Sequence, residues 1–218
     1  LRGKLCFALP DTYAIGMSNH ALQVLYHAVN RLEDWVCERV FAPWRDMEDA
    51  LRQGGLPLYS LESFTPLHAF DVVGFSLQYE LCYTNVLTIL DLGGIPLRSR
   101  DRGESDPLVI AGGPCAQNPE PLSRFIDVFV IGDGEQVLPA ICRRWLELRS
   151  RGGRRDEWLH TIAREFPHAY VPSCYRLEML ADGGPVRVPR EESIPTVIAP
   201  AVLADLDGFP IVTRPIVP

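Results

Sequence analysis

The stretch Asp71-Val72-Val73-Gly74-Phe75-Ser76-Leu77 opens on a carboxylate, runs apolar, and gives way to Gln78-Tyr79-Glu80. A continuous apolar run, as opposed to an alternating one, is what a strand covered on both faces needs. A long helix follows from about Glu80 to Leu92, stopped by Gly93-Gly94. The alternation extends outward in both directions. Upstream, Lys4–Leu9 reads as a buried strand, residues 10–16 as a loop, and Ser18 as the cap of a helix reaching Arg31, with Leu22, Leu25, Tyr26 and Val29 on one face. Trp35–Phe41 is a second strand, and Arg45–Gln53 a short helix ended by Gly54-Gly55. Leu56–Tyr59 reads as a short extra strand that Pro57 confines to an edge. Downstream, the strand Pro107–Ala111 closes on Gly112-Gly113-Pro114. The strand Asp127–Ile131 closes on Gly132-Asp133-Gly134, and a helix runs from about Glu135 to Arg149.

Apolar strands alternating with amphipathic helices predict an α/β fold: a doubly wound, flavodoxin-like or Rossmann-like parallel sheet. Right-handed crossovers leave five strands in the order 2-1-3-4-5, filling a domain over residues 1–150. Residues 151–218 are expected to form a small α+β appendage and linker. In it, Asp156–Glu165 is a short helix, and Tyr175–Leu180 pairs with Val186–Val188 around Asp182-Gly183-Gly184. The proline-rich stretch from Thr196 to Pro218 reads as an extended linker.

Composition narrows the function classes. The chain has 218 residues, 47% of them hydrophobic and 22% charged, which suits a soluble domain with a sizeable core. No uninterrupted apolar stretch approaches the ~18 residues of a membrane span. The first residues run straight into a strand pattern with no signal-peptide cleavage site, so a cytoplasmic location is expected. A net charge of -7 makes nucleic acid a weak partner for the chain as a whole. Lys4 is the only lysine; the arginines from Arg143 to Arg155 read as a solvated helix end and turn. The six cysteines, Cys6, Cys37, Cys82, Cys115, Cys142 and Cys174, have no ligand spacing, and neither do the five histidines, so no metal site is expected. The sequence has no Walker-type phosphate loop, no G-x-G-x-x-G after the first strand, and no G-x-S-x-G elbow.

What remains is the row of strand ends, where open parallel sheets bind their ligands. After the first strand come Asp11, Tyr13 and Gly16; after the third, Ser76, Leu77, Gln78 and Tyr79. After the fourth come Gly112, Gly113 and Pro114, and after the fifth Gly132, Asp133, Gly134 and Glu135. Glycine lets a ligand approach the backbone, and a helix start beyond it offers free N–H donors. One glycine after a strand is ordinarily just a turn. Four polar, glycine-bearing loops on one edge describe a wide cradle.

Val73 through Tyr79, Ala111-Gly112-Gly113-Pro114 and Ile131-Gly132-Asp133-Gly134-Glu135 resemble the cobalamin-binding-type domain that precedes many radical S-adenosylmethionine (radical SAM) cores. Pro10-Asp11, Gly16-Met17-Ser18, Glu38 through Trp44, Gly74 through Asn85 and Asn118-Pro119-Glu120-Pro121 are similar to one family of such proteins. The resemblance spans residues 4 to 145. It implies a cofactor-binding module whose loops hold the lower face and nucleotide tail of cobalamin. It also implies an iron–sulfur enzyme as parent, with a [4Fe–4S] cluster and S-adenosylmethionine carried by a downstream radical SAM core. The chain ends before a C-x-x-x-C-x-x-C motif, so this segment is expected not to be catalytic alone. Its partners would be that core and a small-molecule cofactor, with no membrane and with nucleic acid a weak partner for this segment. Where the family's cobalt-ligating members carry D-x-H-x-x-G, Asp11-Thr12-Tyr13-Ala14-Ile15-Gly16 places Tyr13 at the histidine, which implies base-off cobalamin with no histidine ligand. Asp133 stands where the family has Glu, and Cys115 where a histidine often follows. A structural or interaction domain that keeps the fold and has lost the cofactor is the alternative, and a free-standing flavodoxin-like binding protein a distant third.

Overall fold

The computed structural model describes residues 3–181 and 183–205. Residues 206–218, the larger part of the linker, and Asp182 of the hairpin turn lie outside the described residues. The strands are β1 (Gly3–Leu9), β2 (Trp35–Phe41), β3 (Val72–Ser76), β4 (Leu108–Gly112), β5 (Val128–Val130) and β6 (Ala169–Tyr170), and they form one sheet in the order β2-β1-β3-β4-β5-β6. The first five are parallel and follow the expected order. β6, of two residues, adds an antiparallel edge that the five-strand reading lacked. The parallel strands are almost wholly buried, as their unbroken apolar runs require.

The helices are α1 (Tyr13–Ser18), α2 (His20–Asn30), α3 (Arg45–Gly54), α4 (Tyr83–Leu92), α5 (Gly134–Arg151) and α6 (Arg155–Glu165). α2, α5 and α6 pack in series, and α3 packs on α4. Ser18 is not the helix cap expected of it. Asn19 is: its side chain accepts a hydrogen bond from the Leu22 N–H at 2.9 Å, while the Ser18 hydroxyl turns back onto the Ala14 and Ile15 carbonyls. The loop after β1 therefore contains a short helix, with Tyr13 and Gly16 inside it. The expected strand at Leu56–Tyr59 reduces to one antiparallel bridge, Tyr59 with Pro66. That segment instead guards the free edge of β2: Leu61 N–H donates to the Arg39 carbonyl, and the Glu62 carboxylate accepts from the Arg39 N–H. β7 (Tyr175–Met179) and β8 (Pro185–Pro189) form the hairpin. Among the described residues no helix is long and apolar enough to cross a membrane.

Two carboxylates tie strand starts to distant elements. Asp71, at the head of β3, accepts from the Lys4 N–H at 2.9 Å and from Arg149 at 3.0 Å. Asp127, at the head of β5, is buried. One of its oxygens faces Arg102 and accepts from the Ser99 hydroxyl; the other accepts from the Val109 N–H and from Arg155, both at 2.8 Å. Arg155 is thus no solvated residue of a basic turn. It is buried over the Trp145 ring and also donates to the Gly103, Asp106 and Pro107 carbonyls. Arg143, Arg144, Arg149 and Arg154 of that run pair with Asp34, Glu165, Asp71 and Asp156 in turn.

Burial pushes the Asp127 carboxyl upward, but the Arg102 and Arg155 guanidinium charges outweigh it and hold it below the usual carboxylate value. A depressed acid stabilises the fold above its unfolded pKa and loses that contribution as pH falls through the folded one. Asp127→Asn should therefore cost about 3–5 kcal/mol at neutral pH, because two buried cations lose their counter-charge. In urea melts the gap between parent and variant should narrow below about pH 4; a gap under 1 kcal/mol at pH 7 would contradict the network's role.

Candidate functional site

The carboxyl ends of β1, β3, β4 and β5 enclose a cavity of about 250 Å³ between α2 and the start of α5. The expected residues that line it are Ser76, Gln78, Gly112, Gly113, Pro114, Gly132, Asp133, Gly134 and Glu135. Phe7, Leu25, Ile110 and Leu138 supply apolar walls that sequence reading did not assign to the site. Leu25 shares one face of α2 with Leu22, Tyr26 and Val29, and its position opposite Gly134 follows only from the packing. Asp11, Tyr13, Gly16, Leu77 and Tyr79 do not line the cavity.

The glycines divide into two kinds. A Cβ at Gly112 would meet nothing closer than the Val130 carbonyl at 3.7 Å, and one at Gly134 only the Leu25 methyls at 3.5 and 3.7 Å. Both are openings in the wall. Gly113 has φ +97°, and a Cβ there would lie 2.8 Å from the Leu77 carbonyl oxygen. Gly132 has φ +93°, and its Cβ would lie 2.2 Å from the Ala201 carbonyl oxygen. These two glycines admit neighbouring backbone. Gly16 is also a packing residue, since a Cβ there would enter the Phe41 ring.

Ala201 lies against Gly132 because the returning chain adds a parallel bridge to the end of β5. Ala201 N–H donates to the Ile131 carbonyl at 2.8 Å, and Asp133 N–H to the Ala201 carbonyl at 2.9 Å. The Asp133 carboxylate accepts from the Leu203 N–H at 2.7 Å. Asp133 is therefore already engaged by the chain itself. Glu135 differs: its Oε2 is buried with no hydrogen-bond partner among the described residues. Ser76 is 4% exposed and accepts from the Gln78 amide at 2.6 Å, which leaves its own hydrogen to donate.

Beside the cavity, Asp11 and Tyr79 join the loops after β1 and β3. The Tyr79 hydroxyl donates to the Asp11 carboxylate, whose other oxygen accepts from the Thr12 N–H at 2.6 Å. That carboxylate pushes the Tyr79 phenol up to about 12, so it stays protonated at neutral pH. Tyr13 is half exposed, its ring set edge-on to Phe41. Cys115 accompanies Pro114, and burial pushes its thiol up. Burial also pushes the Tyr83 phenol close by up to about 12. Among the described residues no three His, Cys, Asp or Glu side chains group as metal ligands.

The two kinds of glycine predict different stabilities. Gly113→Ala and Gly132→Ala should each lower stability by about 1–3 kcal/mol or more, through strained backbone and overpacking. Gly112→Ala and Gly134→Ala should change it by less than about 1 kcal/mol, because no atom has to move. Thermal melts of the four variants decide this; equal losses would erase the distinction.

Residues 21–172 match a family model described as the N-terminal part of radical SAM proteins. The uncharacterised protein MJ0966 of Methanocaldococcus jannaschii is 32% identical over 140 residues, which is 62% of this chain and 25% of that protein. The chain thus spans about a quarter of the curated relative it matches. Among solved structures it is similar to the radical S-adenosylmethionine methyltransferase TsrM of Kitasatospora setae with cobalamin and a [4Fe–4S] cluster bound. That likeness has 17% identity and a TM-score of 0.49, over 87% of this chain and 31% of that one. The same enzyme with tryptophan and a SAM analogue gives 18% identity and 0.47, with the same coverage.

Proposed function

This chain belongs to the family of N-terminal domains of radical SAM proteins, and from there we propose that its cavity holds the nucleotide tail of a cobalamin on behalf of a downstream radical SAM core. The observation that carries the reading is the glycine-walled opening at Gly112 and Gly134, a cradle that two side chains would fill. The cavity is smaller than the ~300–1,000 Å³ that encloses a drug-sized ligand. It suits a base and sugar, with the corrin outside it.

The residues present fit such a tail. Phe7, Leu25, Ile110 and Leu138 offer apolar contact to a base. The Ser76 hydroxyl has a hydrogen to donate. The unpartnered Glu135 oxygen would accept from a hydroxyl or N–H. The N–H groups at the start of α5 favour an anionic group nearby, although the Glu135 charge opposes one placed directly against it. Bound cobalamin would supply a cobalt centre for methyl or radical chemistry that a core beyond this chain performs. In this reading residues 1–150 form the cofactor unit, and residues 151–218 carry the chain toward that core.

In this reading the ring's lower face rests on the Asp11–Tyr79 loop pair, beside Tyr13. None of these three offers an imidazole, and the Tyr79 phenol is held protonated by Asp11. Cobalamin bound here would be base-off without a protein ligand to cobalt. The [4Fe–4S] cluster and S-adenosylmethionine belong to the downstream core.

Titration of the chain with hydroxocobalamin, followed by absorbance and equilibrium dialysis, tests the reading. The parent should bind, and the reduced cob(II)alamin should show a base-off electron paramagnetic resonance spectrum without nitrogen splitting. Gly112→Val and Gly134→Val should each weaken binding at least tenfold, the ~1–3 kcal/mol of overpacking, with circular dichroism unchanged. Tyr13→Phe should bind as the parent does. Failure of the parent to bind up to the solubility of the cofactor would leave a domain that keeps only the fold.

A further inference from the structure

A second recess lies at the opposite edge of the sheet and takes no part in the reading above. It is a groove of about 850 Å³ built from the segments that precede β4 and β5, the start of α6, and the β7–β8 hairpin. Eight of the chain's 21 Lys and Arg residues line it, against two carboxylates, Glu104 and Asp156. In a chain of net charge -7 this is strong segregation.

The pairing of these arginines separates structure from surplus. Arg102 and Arg155 are buried in the floor against Asp127. Arg154 is held by Asp156 at 2.6 Å, Arg187 by Glu120 at 2.5 Å, and Arg100 faces Asp101 at 3.5 Å. Arg98 and Arg124 are exposed and have no side-chain partner among the described residues. Arg190 is exposed and gives its Nε to the Ser173 carbonyl at 3.1 Å, with no carboxylate partner among them. The groove thus carries three uncompensated cations, offset in part by Glu104.

We propose that this groove binds the phosphate backbone of a nucleic acid. Guanidinium forks match phosphate oxygens bidentately, and a row of them on separate segments suits a ligand whose charge is spread along its length. A small-molecule site would be mostly apolar and enclosing; this trough is polar and open. A protein partner needs apolar or aromatic anchors at its centre. Of the residues lining the groove, Leu177 is the one large apolar side chain that is exposed, and Tyr175 is buried with its hydroxyl given to the Pro195 carbonyl. Without an exposed aromatic the groove has no platform for stacking bases. Recognition would therefore run through phosphates and be indifferent to sequence. The acidic whole-chain charge, which argues against nucleic acid, does not bear on this edge, because exposed charges are screened beyond about 10 Å.

The test is fluorescence anisotropy of the chain with labelled single-stranded RNA, duplex RNA and duplex DNA, with inorganic phosphate and polyglutamate as competitors. At least one nucleic acid should bind, and the three tell which backbone the groove prefers. Affinity should fall about twenty- to forty-fold between 50 and 200 mM salt, the release expected for three phosphate contacts. The triple variant R98E/R124E/R190E should bind at least tenfold more weakly at low salt. Each single Arg→Ala change at these positions should lower the salt slope by about one. Arg151→Glu, outside the groove, should bind as the parent does. Circular dichroism and the response to hydroxocobalamin should be unchanged in all of them, which keeps this result separate from the cofactor reading. No binding by any oligonucleotide, parental affinity in the triple variant, or displacement by polyglutamate at lower charge concentration than by RNA would each overturn the proposal.

Discussion

A buried carboxylate holds the lower half of this fold together. Asp127 stands at the head of β5 with both oxygens occupied, and its partners come from four places: the turn at Ser99, the Arg102 loop, the Val109 backbone of β4, and Arg155 at the start of α6. A charge so buried is tolerable only when fully paired and hydrogen-bonded. The arginines are paired with Asp127 and hydrogen-bonded through most of their nitrogens; Arg102 Nη1 and Arg155 Nε have no hydrogen-bond partner among the described residues. Arg102 closes on the Pro96, Leu97 and Phe125 carbonyls, and Arg155 on three more. The bonds of Asp127 and Arg155 span 18 to 52 positions of the chain, so the amino ends of β4 and β5 are fixed to α6 as well as to each other. The helix that begins beyond residue 150 is thereby joined to the sheet through its first residue.

Fixing that lower edge leaves the upper edge to be shaped by backbone. Gly113 lets the β4 loop fold onto Leu77, and Gly132 lets the returning chain pair with the end of β5 at Ala201. Both glycines bring main chain against main chain, where the hydrogen bonds of Cys115 to Leu77 and of Asp133 to Ala201 close the contacts. Once the two loops are pinned in this way, Gly112 and Gly134 line the cavity between them, with room for a Cβ at ordinary contact distance. The cavity follows from that packing, whatever it binds.

Much of the frame was legible in the sequence, because fully buried parallel strands announce themselves as unbroken apolar runs. Trp35–Phe41 matches β2 residue for residue, and the first five strands take the expected order. The misses have physical causes. Ser18 and Asn19 are both good helix caps, and only the three-dimensional turn decides that Asn19 faces the Leu22 N–H. β6 has two residues, too few to show a period. The glycines of the candidate site read alike as letters, yet the sign of φ and the identity of the facing atom separate spacers from openings. The pairing of Asp127 with Arg155 spans 28 positions, and nothing local marks it. The basic run from Arg143 to Arg155 is a cluster in sequence, but most of its members are paired with carboxylates.

The same reasoning explains why the surplus charge gathers where it does. Arg98, Arg124 and Arg190 are widely separated in sequence, and each sits beside an element anchored by the Asp127 network or by the hairpin. The network consumes two guanidinium groups and one carboxylate, so the buried centre itself carries an excess positive charge toward the groove. Surface carboxylates face Arg100, Arg154 and Arg187 but do not reach the remaining three. At the other edge the balance is reversed: Asp11, Asp133 and Glu135 stand at or beside the cavity. The two edges of one sheet therefore differ in sign as well as in shape. A ligand that enters the upper cavity is disfavoured if it brings negative charge against Glu135, whereas the lower groove favours anions beside Arg98, Arg124 and Arg190.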